Sequence, residues 1–151
     1  MSRELLRERI MAHEGLRFKP YKDTLGKLTI GYGRCLDTQG ITEGEAEYLL
    51  DNDLQRVEDY CLGAWQWFGH LDDTRQGVVM EMVFQLGLDG VRGFSRFLAA
   101  VGNADYTEAG SQMRNSLWAR QTPGRAEVLA RIMETGQDPT TSDSGAGGGG
   151  T

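Results

Sequence analysis

Three residues near the start of the chain carry side chains suited to acid–base chemistry. They are Glu14 in HEGLR, Asp23 in YKDT and Thr29 in LTIGYGR, nine and six residues apart. Breaking a glycosidic bond needs an acid that protonates the departing oxygen. It also needs a second carboxylate to meet positive charge at the anomeric carbon. Leu6, Ile10 and Glu14 recur every four residues, so a helix here would carry an apolar stripe ending in Glu14. Gly15 follows at once, where a helix stops. The negative end of the helix dipole and the apolar neighbours both favour the neutral acid. Asp23 follows the polar Tyr21-Lys22 pair and opens a turn, Asp23-Thr24-Leu25-Gly26, where a carboxylate stays solvated and ionised. Taken alone, a Glu and an Asp at this spacing are most often two solvated surface charges.

The elements that must position these residues are also written in the chain. A helix is predicted over about 3–14. Residues 17–37 combine glycines, Pro20, aromatics and the β-branched pair Thr29-Ile30, which predicts a small antiparallel sheet with tight turns. Thr42-Glu43-Gly44-Glu45 is a capping box with Thr42 as N-cap. The helix it opens should run to about Tyr60, with Leu50, Leu54, Val57 and Cys61 as its apolar stripe. Asp73 and Gln76 form a further cap pair ahead of a helix to about Leu86. Its Val78, Val79, Met82, Val83, Phe84 and Leu86 cover most of the circumference, as in a buried central helix. Met80 and Met82 read as packing residues.

Shorter helices are predicted over about 93–101, 105–113 and 123–135. Asp105 with Glu108 caps the second, Thr122 with Pro123 opens the last, and Gly136 ends it. The closing QDPTTSDSGAGGGGT has no apolar face to bury and is expected to be a disordered tail over 137–151, leaving one folded domain over 1–136.

The string EGLRFKPYKDTLGKLTIGYGR resembles the active-site region of the T-even bacteriophage lysozyme family and the phage endolysins related to it. The likeness returns in MVFQLG (82–87) and WARQTPGRA (118–126), so that it spans residues 5 to 134. It implies an α+β, lysozyme-like fold. A small N-terminal lobe with a short antiparallel sheet (about 15–41) is joined by a long helix (about 42–60) to a helical lobe (about 61–136 plus the first helix). It further implies hydrolysis of the β-1,4 bond between N-acetylmuramic acid and N-acetylglucosamine in peptidoglycan, with inversion, and lysis of the bacterial wall. Glu14 would be the general acid. Asp23 would act from the opposite face of the sugar, and the Thr29 hydroxyl would hold the attacking water. Inversion needs the two carboxyl groups roughly 6.5–9.5 Å apart.

Arg125 matches the family arginine that approaches the catalytic glutamate. Phe84 and Gln85 resemble cleft residues that bind substrate, with Phe84 read equally well as core. Cys35 and Phe97 stand where the T-even enzyme has an apolar cleft residue and a small hydroxyl, and are substrate-binding candidates on position alone. Trp118 is read as packing, and Arg34 as exposed or salt-bridged. One departure is large. The T-even enzyme has an extra helical segment after its sheet, whereas only Asp37-Thr38-Gln39-Gly40 joins Leu36 to Ile41 here, so the small lobe should be more compact.

Composition narrows the partners. The net charge of −6 is uneven: residues 1–34 carry eight Lys/Arg against four Asp/Glu, while 37–73 carry ten acids and only Arg56. An acidic body repels phosphate, which excludes nucleic acid. A basic N-terminal lobe suits an anionic polymer such as peptidoglycan.

No apolar run approaches the roughly 18 residues of a membrane span, and Arg7, Glu8 and Arg9 interrupt any signal-peptide core. The expectation is a monomer in the host cytoplasm that reaches the wall through a separate pore protein. Cys35 and Cys61 lack CxxC spacing and are expected to be free thiols, with Cys61 in the core. His13-Glu14 fails as a zinc motif because Arg17 stands at the fifth position, and Gly31-Tyr32-Gly33 fails as a dinucleotide loop at Leu36. Neither metal nor cofactor is expected. Two rival readings share the fold: a glycan-binding protein without catalysis, and a glycosidase acting on another aminosugar polymer such as chitin.

Overall fold

The computed structural model describes residues 1–139; most of the predicted tail, 140–151, lies outside the described residues. In chain order the elements are α1 (Arg3–Glu14), β1 (Arg17–Lys22), β2 (Leu28–Gly31), β3 (Arg34–Cys35), α2 (Leu36–Gln39) and α3 (Glu43–Ala64). After a short 3₁₀ turn at Phe68–His70 come α4 (Asp73–Arg92), α5 (Ser95–Gly102), α6 (Tyr106–Arg114), α7 (Leu117–Gln121) and α8 (Pro123–Thr135). A short antiparallel sheet followed by helices is an α+β arrangement, the expected fold class. By compactness the chain divides into Met1–Leu50 and a second unit from Asp51 onward, the division falling within α3.

In Met1–Leu50 the sheet is antiparallel in the order β1-β2-β3. Its ladder is irregular between Arg17 and Tyr21, the stretch holding Pro20, which has no N–H to give. Ser2 caps α1 by accepting from the Leu5 amide. The capping box at α3 forms with both of its bonds. The Glu45 amide donates to Thr42 Oγ1 at 3.1 Å, and the Thr42 amide to the Glu45 carboxylate at 2.9 Å. Glu45 also pairs with Arg34 at 2.7 Å. Those Thr42 bonds, followed by Arg34, hold the Glu45 carboxyl below its ordinary value. The four-residue join after the sheet is itself a turn of helix, α2, which sequence reading left as a link.

The second unit is built around α4, whose Val78, Val79, Met82 and Val83 are buried. Cys61 from α3, Phe97 and Val101 from α5, Met113 from α6 and Ala130 and Met133 from α8 complete the core. The cap of α4 is Asp72 rather than Asp73: its carboxylate accepts from the Arg75 amide. Gln76 instead donates to the Phe68 carbonyl at 2.9 Å. Gly87, at φ 78° and ψ 161°, interrupts the helix after Leu86, and a shorter piece follows to Arg92.

Thr122 is the N-cap residue of α8, as expected, but its side chain makes no capping bond. Its hydroxyl donates back to the Trp118 carbonyl, and Pro123 begins the helix. Arg75 closes the far end of α8 by donating to the carbonyls of Met133 (2.6 Å) and Glu134 (3.1 Å). Its guanidinium lies 3.7 Å from the Tyr106 ring centroid. Buried Gly110 lets α8 come close, since a Cβ there would meet Glu134 Cγ at 2.5 Å. Glu134 and Glu127 both pair with Arg114.

Candidate active site

Thr29 sits at the centre of the sheet, opposite Tyr21 on β1 and Cys35 on β3. Directly opposed residues in antiparallel strands share a face, so Tyr21, Thr29 and Cys35 form one row across it. Thr29 is only 4% exposed. Its hydroxyl is placed to donate to the Lys27 carbonyl at 3.1 Å, which leaves the oxygen's lone pairs to accept.

Asp23 stands just beyond the end of β1, in the predicted turn. Its Oδ1 accepts from the amides of Leu25 and Lys27, each at 2.9 Å, and Gly26 at φ +78° completes the reversal. Among the described residues no donor engages Oδ2. The start of β2 is fixed by a group that sequence reading missed: the Leu28 amide donates to Asp37 Oδ2 at 2.7 Å. Asp37 is in the first turn of α2, so the short helix after the sheet anchors the strand that carries Thr29.

Glu14 is the last residue of α1, and Gly15, at φ 71°, lets the chain leave the helix there. The helix has no buried residue and Glu14 is exposed. Its carboxyl lies against the turn between β2 and β3, where Gly33 has no side chain to obstruct it. Glu14, Asp23 and Thr29 thus all belong to Met1–Leu50.

The remaining candidates lie in the second unit, apart from Cys35, which is half-buried beside Thr29. Phe84 is 45% exposed and presents a ring at the surface of α4. Gln85 accepts a hydrogen bond from the Trp118 indole at 2.9 Å, which occupies its carbonyl oxygen. Trp118 is itself buried, edge-on to Phe94. Phe97 is a correction. At 1% exposed and edge-on to Phe94, it offers no face to a ligand and serves the core. Arg125 pairs with Glu81 at 2.7 Å, a partner the spacing of 44 residues hid from sequence reading.

Among the described residues no three His, Cys, Asp or Glu side chains converge as a metal site requires. None of the described helices is long and apolar enough to cross a membrane.

Comparison with known proteins bears on this arrangement. The family described as phage lysozyme matches residues 11–133. A probable T4-type lysozyme of Dictyostelium discoideum is 27% identical over 87% of this chain and 94% of its own length. The pre-baseplate central spike protein Gp5 of Enterobacteria phage T4 is 31% identical over 85% of this chain, which corresponds to 27% of that larger protein. A SAR-endolysin of Bacteriophage PS119 is 29% identical over 80% of the chain and 73% of its own length. The family match takes in Glu14, Asp23 and Thr29 together with the helices from α3 to α8, and on that footing the chain belongs to the phage lysozyme family.

Proposed function

We propose that this chain is a lysozyme-type glycoside hydrolase. It cleaves the β-1,4 bond between N-acetylmuramic acid and N-acetylglucosamine in peptidoglycan and so lyses bacterial walls as an endolysin. The observation that carries this reading is the division of labour within Met1–Leu50. An exposed acid ends a helix, and two acceptors are left open, Asp23 Oδ2 in the turn after β1 and the lone pairs of Thr29 Oγ1 on β2.

A water donating one hydrogen to each acceptor would present its remaining lone pairs to the anomeric carbon. Glu14 protonates the departing oxygen, and Asp23 offsets the positive charge that develops on the sugar. The water then adds from the opposite face and passes a proton to Asp23, giving inversion. One chain supplies all three groups, so the chemistry requires no second copy. The exposed Phe84 ring offers an apolar face to a sugar, and Cys35 lies beside Thr29 where it would line the same sheet surface. Access to the wall from inside a host cell would run through a pore formed by another protein.

Digestion of purified peptidoglycan and of chitin oligomers, with new reducing ends read by mass spectrometry, tests the proposal. New N-acetylmuramic acid ends support it. Cleavage of chitin alone would favour the other glycosidase, and binding without new ends would leave a glycan-binding protein.

A further inference from the structure

We infer that Gly33 is a positioning residue for the Glu14 carboxyl, an assignment that rests on the reading of Glu14 as the general acid. Several glycines of Met1–Leu50 have a positive φ, and they divide into two kinds. At Gly15, Gly26, Gly31 and Gly40 a Cβ would meet nothing within 4 Å, so only the backbone demands glycine there. Gly33 is different. Its φ is +77°, and a Cβ would also lie 2.7 Å from Glu14 Oε2, 2.8 Å from Cδ and 3.1 Å from Cγ. Real Cβ atoms do not approach so closely, so any other residue must displace the carboxyl or the turn.

The contact matters because little else holds this acid. Glu14 is exposed and, among the described residues, makes no hydrogen bond or ion pair. Two features bear on its orientation: the end of α1 at Gly15, and the bare backbone of Gly33 against which the carboxyl lies. A glycine at this point leaves the carboxyl the space it occupies without bringing a donor that competes with substrate. It also joins α1 to the β2–β3 turn, two elements separated by the whole of β1 and β2. An acid displaced by even an ångström from its proton acceptor loses rate rather than affinity.

Four variants test this: Gly33→Ala, Gly31→Ala, Glu14→Asp and the double variant Gly33→Ala with Glu14→Asp. Gly31→Ala introduces a methyl group at a similar backbone angle, φ +69°, with nothing to strike, and so controls for strain. Turnover and KM on soluble peptidoglycan fragments, melting temperature, and the ¹³C titration of the Glu14 carboxyl are measured for each.

Gly33→Ala should lower kcat about 10- to 100-fold below Gly31→Ala with KM little changed, while the two melt alike. Its Glu14 carboxyl resonance and pH–rate profile should move, and those of Gly31→Ala should not. The double variant should lose less than the product of the two single losses, because the shortened acid no longer meets the new methyl group. Equal kcat and an unmoved Glu14 resonance in the two alanine variants would overturn the inference. If the parent protein cleaves nothing, the reading of Glu14 fails instead, and the carboxyl resonance still decides whether Gly33 seats it.

Discussion

The two units of this chain hide different things from solvent. Every buried apolar side chain among the described residues lies from Val57 onward, whereas the single buried residue of Met1–Leu50 is Thr29, a polar one. The second unit is held by a packed core of Phe, Met and Val. The first is held by hydrogen bonds and turns: the Asp23 carboxylate on two amides, Asp37 on the Leu28 amide, and the reciprocal Thr42–Glu45 cap with its Arg34 pair. Leu5, Phe18, Leu25 and Tyr48 in the first unit are all more than 60% exposed. Regions with little buried apolar surface open at low free-energy cost. The difference teaches that the residues offered for chemistry sit on a scaffold of directional bonds, while burial supplies stability elsewhere.

The largest expected effect separates chemistry from folding within the first unit. Glu14→Gln keeps the shape of the side chain and removes its proton, so turnover should fall about 10²–10⁴-fold with an unchanged melting temperature. Thr29→Val should likewise lower turnover while glycan affinity holds, because it removes an acceptor needed only in the transition state. Substantial turnover in Glu14→Gln, measured in single-turnover digestion, would end the comparison as drawn here.

The next effect lies in the second unit. Phe97→Ala should cost about 3–5 kcal/mol by emptying the core, whereas Phe18→Ala, at a ring 83% exposed, should stay within about 0.5 kcal/mol. Denaturant titration of the two variants measures both, and similar losses would show that the sheet unit has a core of its own.

A smaller change sharpens the contrast. Thr42→Ala removes one half of the capping box and should cost about 1 kcal/mol, felt as local opening. Hydrogen exchange at the Glu45 and Ala46 amides should quicken while the amides of α6 and α8 stay protected; uniform acceleration would mean that the two units open together.

The mildest effect is in acid. Glu45, Glu127 and Glu134 all have folded-state values below the ordinary one. The cause is the Thr42 cap bonds for the first and the Arg114 hydrogen bonds for the other two. Lowered values give stability that is present above the unfolded value of 4.5 and lost as pH falls through the folded values. Melting temperature should therefore decline below about pH 4.5, and less steeply in Arg114→Gln. A flat profile down to pH 3 would rule out these pairs as contributors.

Much of this was legible in the chain because the signals were local. The periodic run and Gly15 delimit α1; Thr42 and Glu45 announce α3; Gly136 marks the end of α8 in the left-handed conformation. Misses follow where local rules are silent. Asp72 and Asp73 are adjacent and chemically alike, so only backbone angles decide which one caps α4. Two short helices, α2 and α7, are too brief for a hydrophobic period to appear. Phe97 was matched by position, which says nothing of exposure. The contact of Gly33 with Glu14 and the pair Arg125–Glu81 join residues distant in the chain, and spacing carries no trace of them.

Each unit carries one free thiol, and the two are unequal. Cys35 is half-buried in the sheet row, whereas Cys61 is fully buried, and desolvation with help from Glu58 pushes its thiol up to about 11. An electrophile added at neutral pH therefore has one native target, and it reaches the second only through a transient breach of the helical packing. The chain thus carries its own stopwatch. Alkylation at half-buried Cys35 comes first, and the slow appearance of a second adduct counts how often the helical unit breathes, with no label engineered into either half.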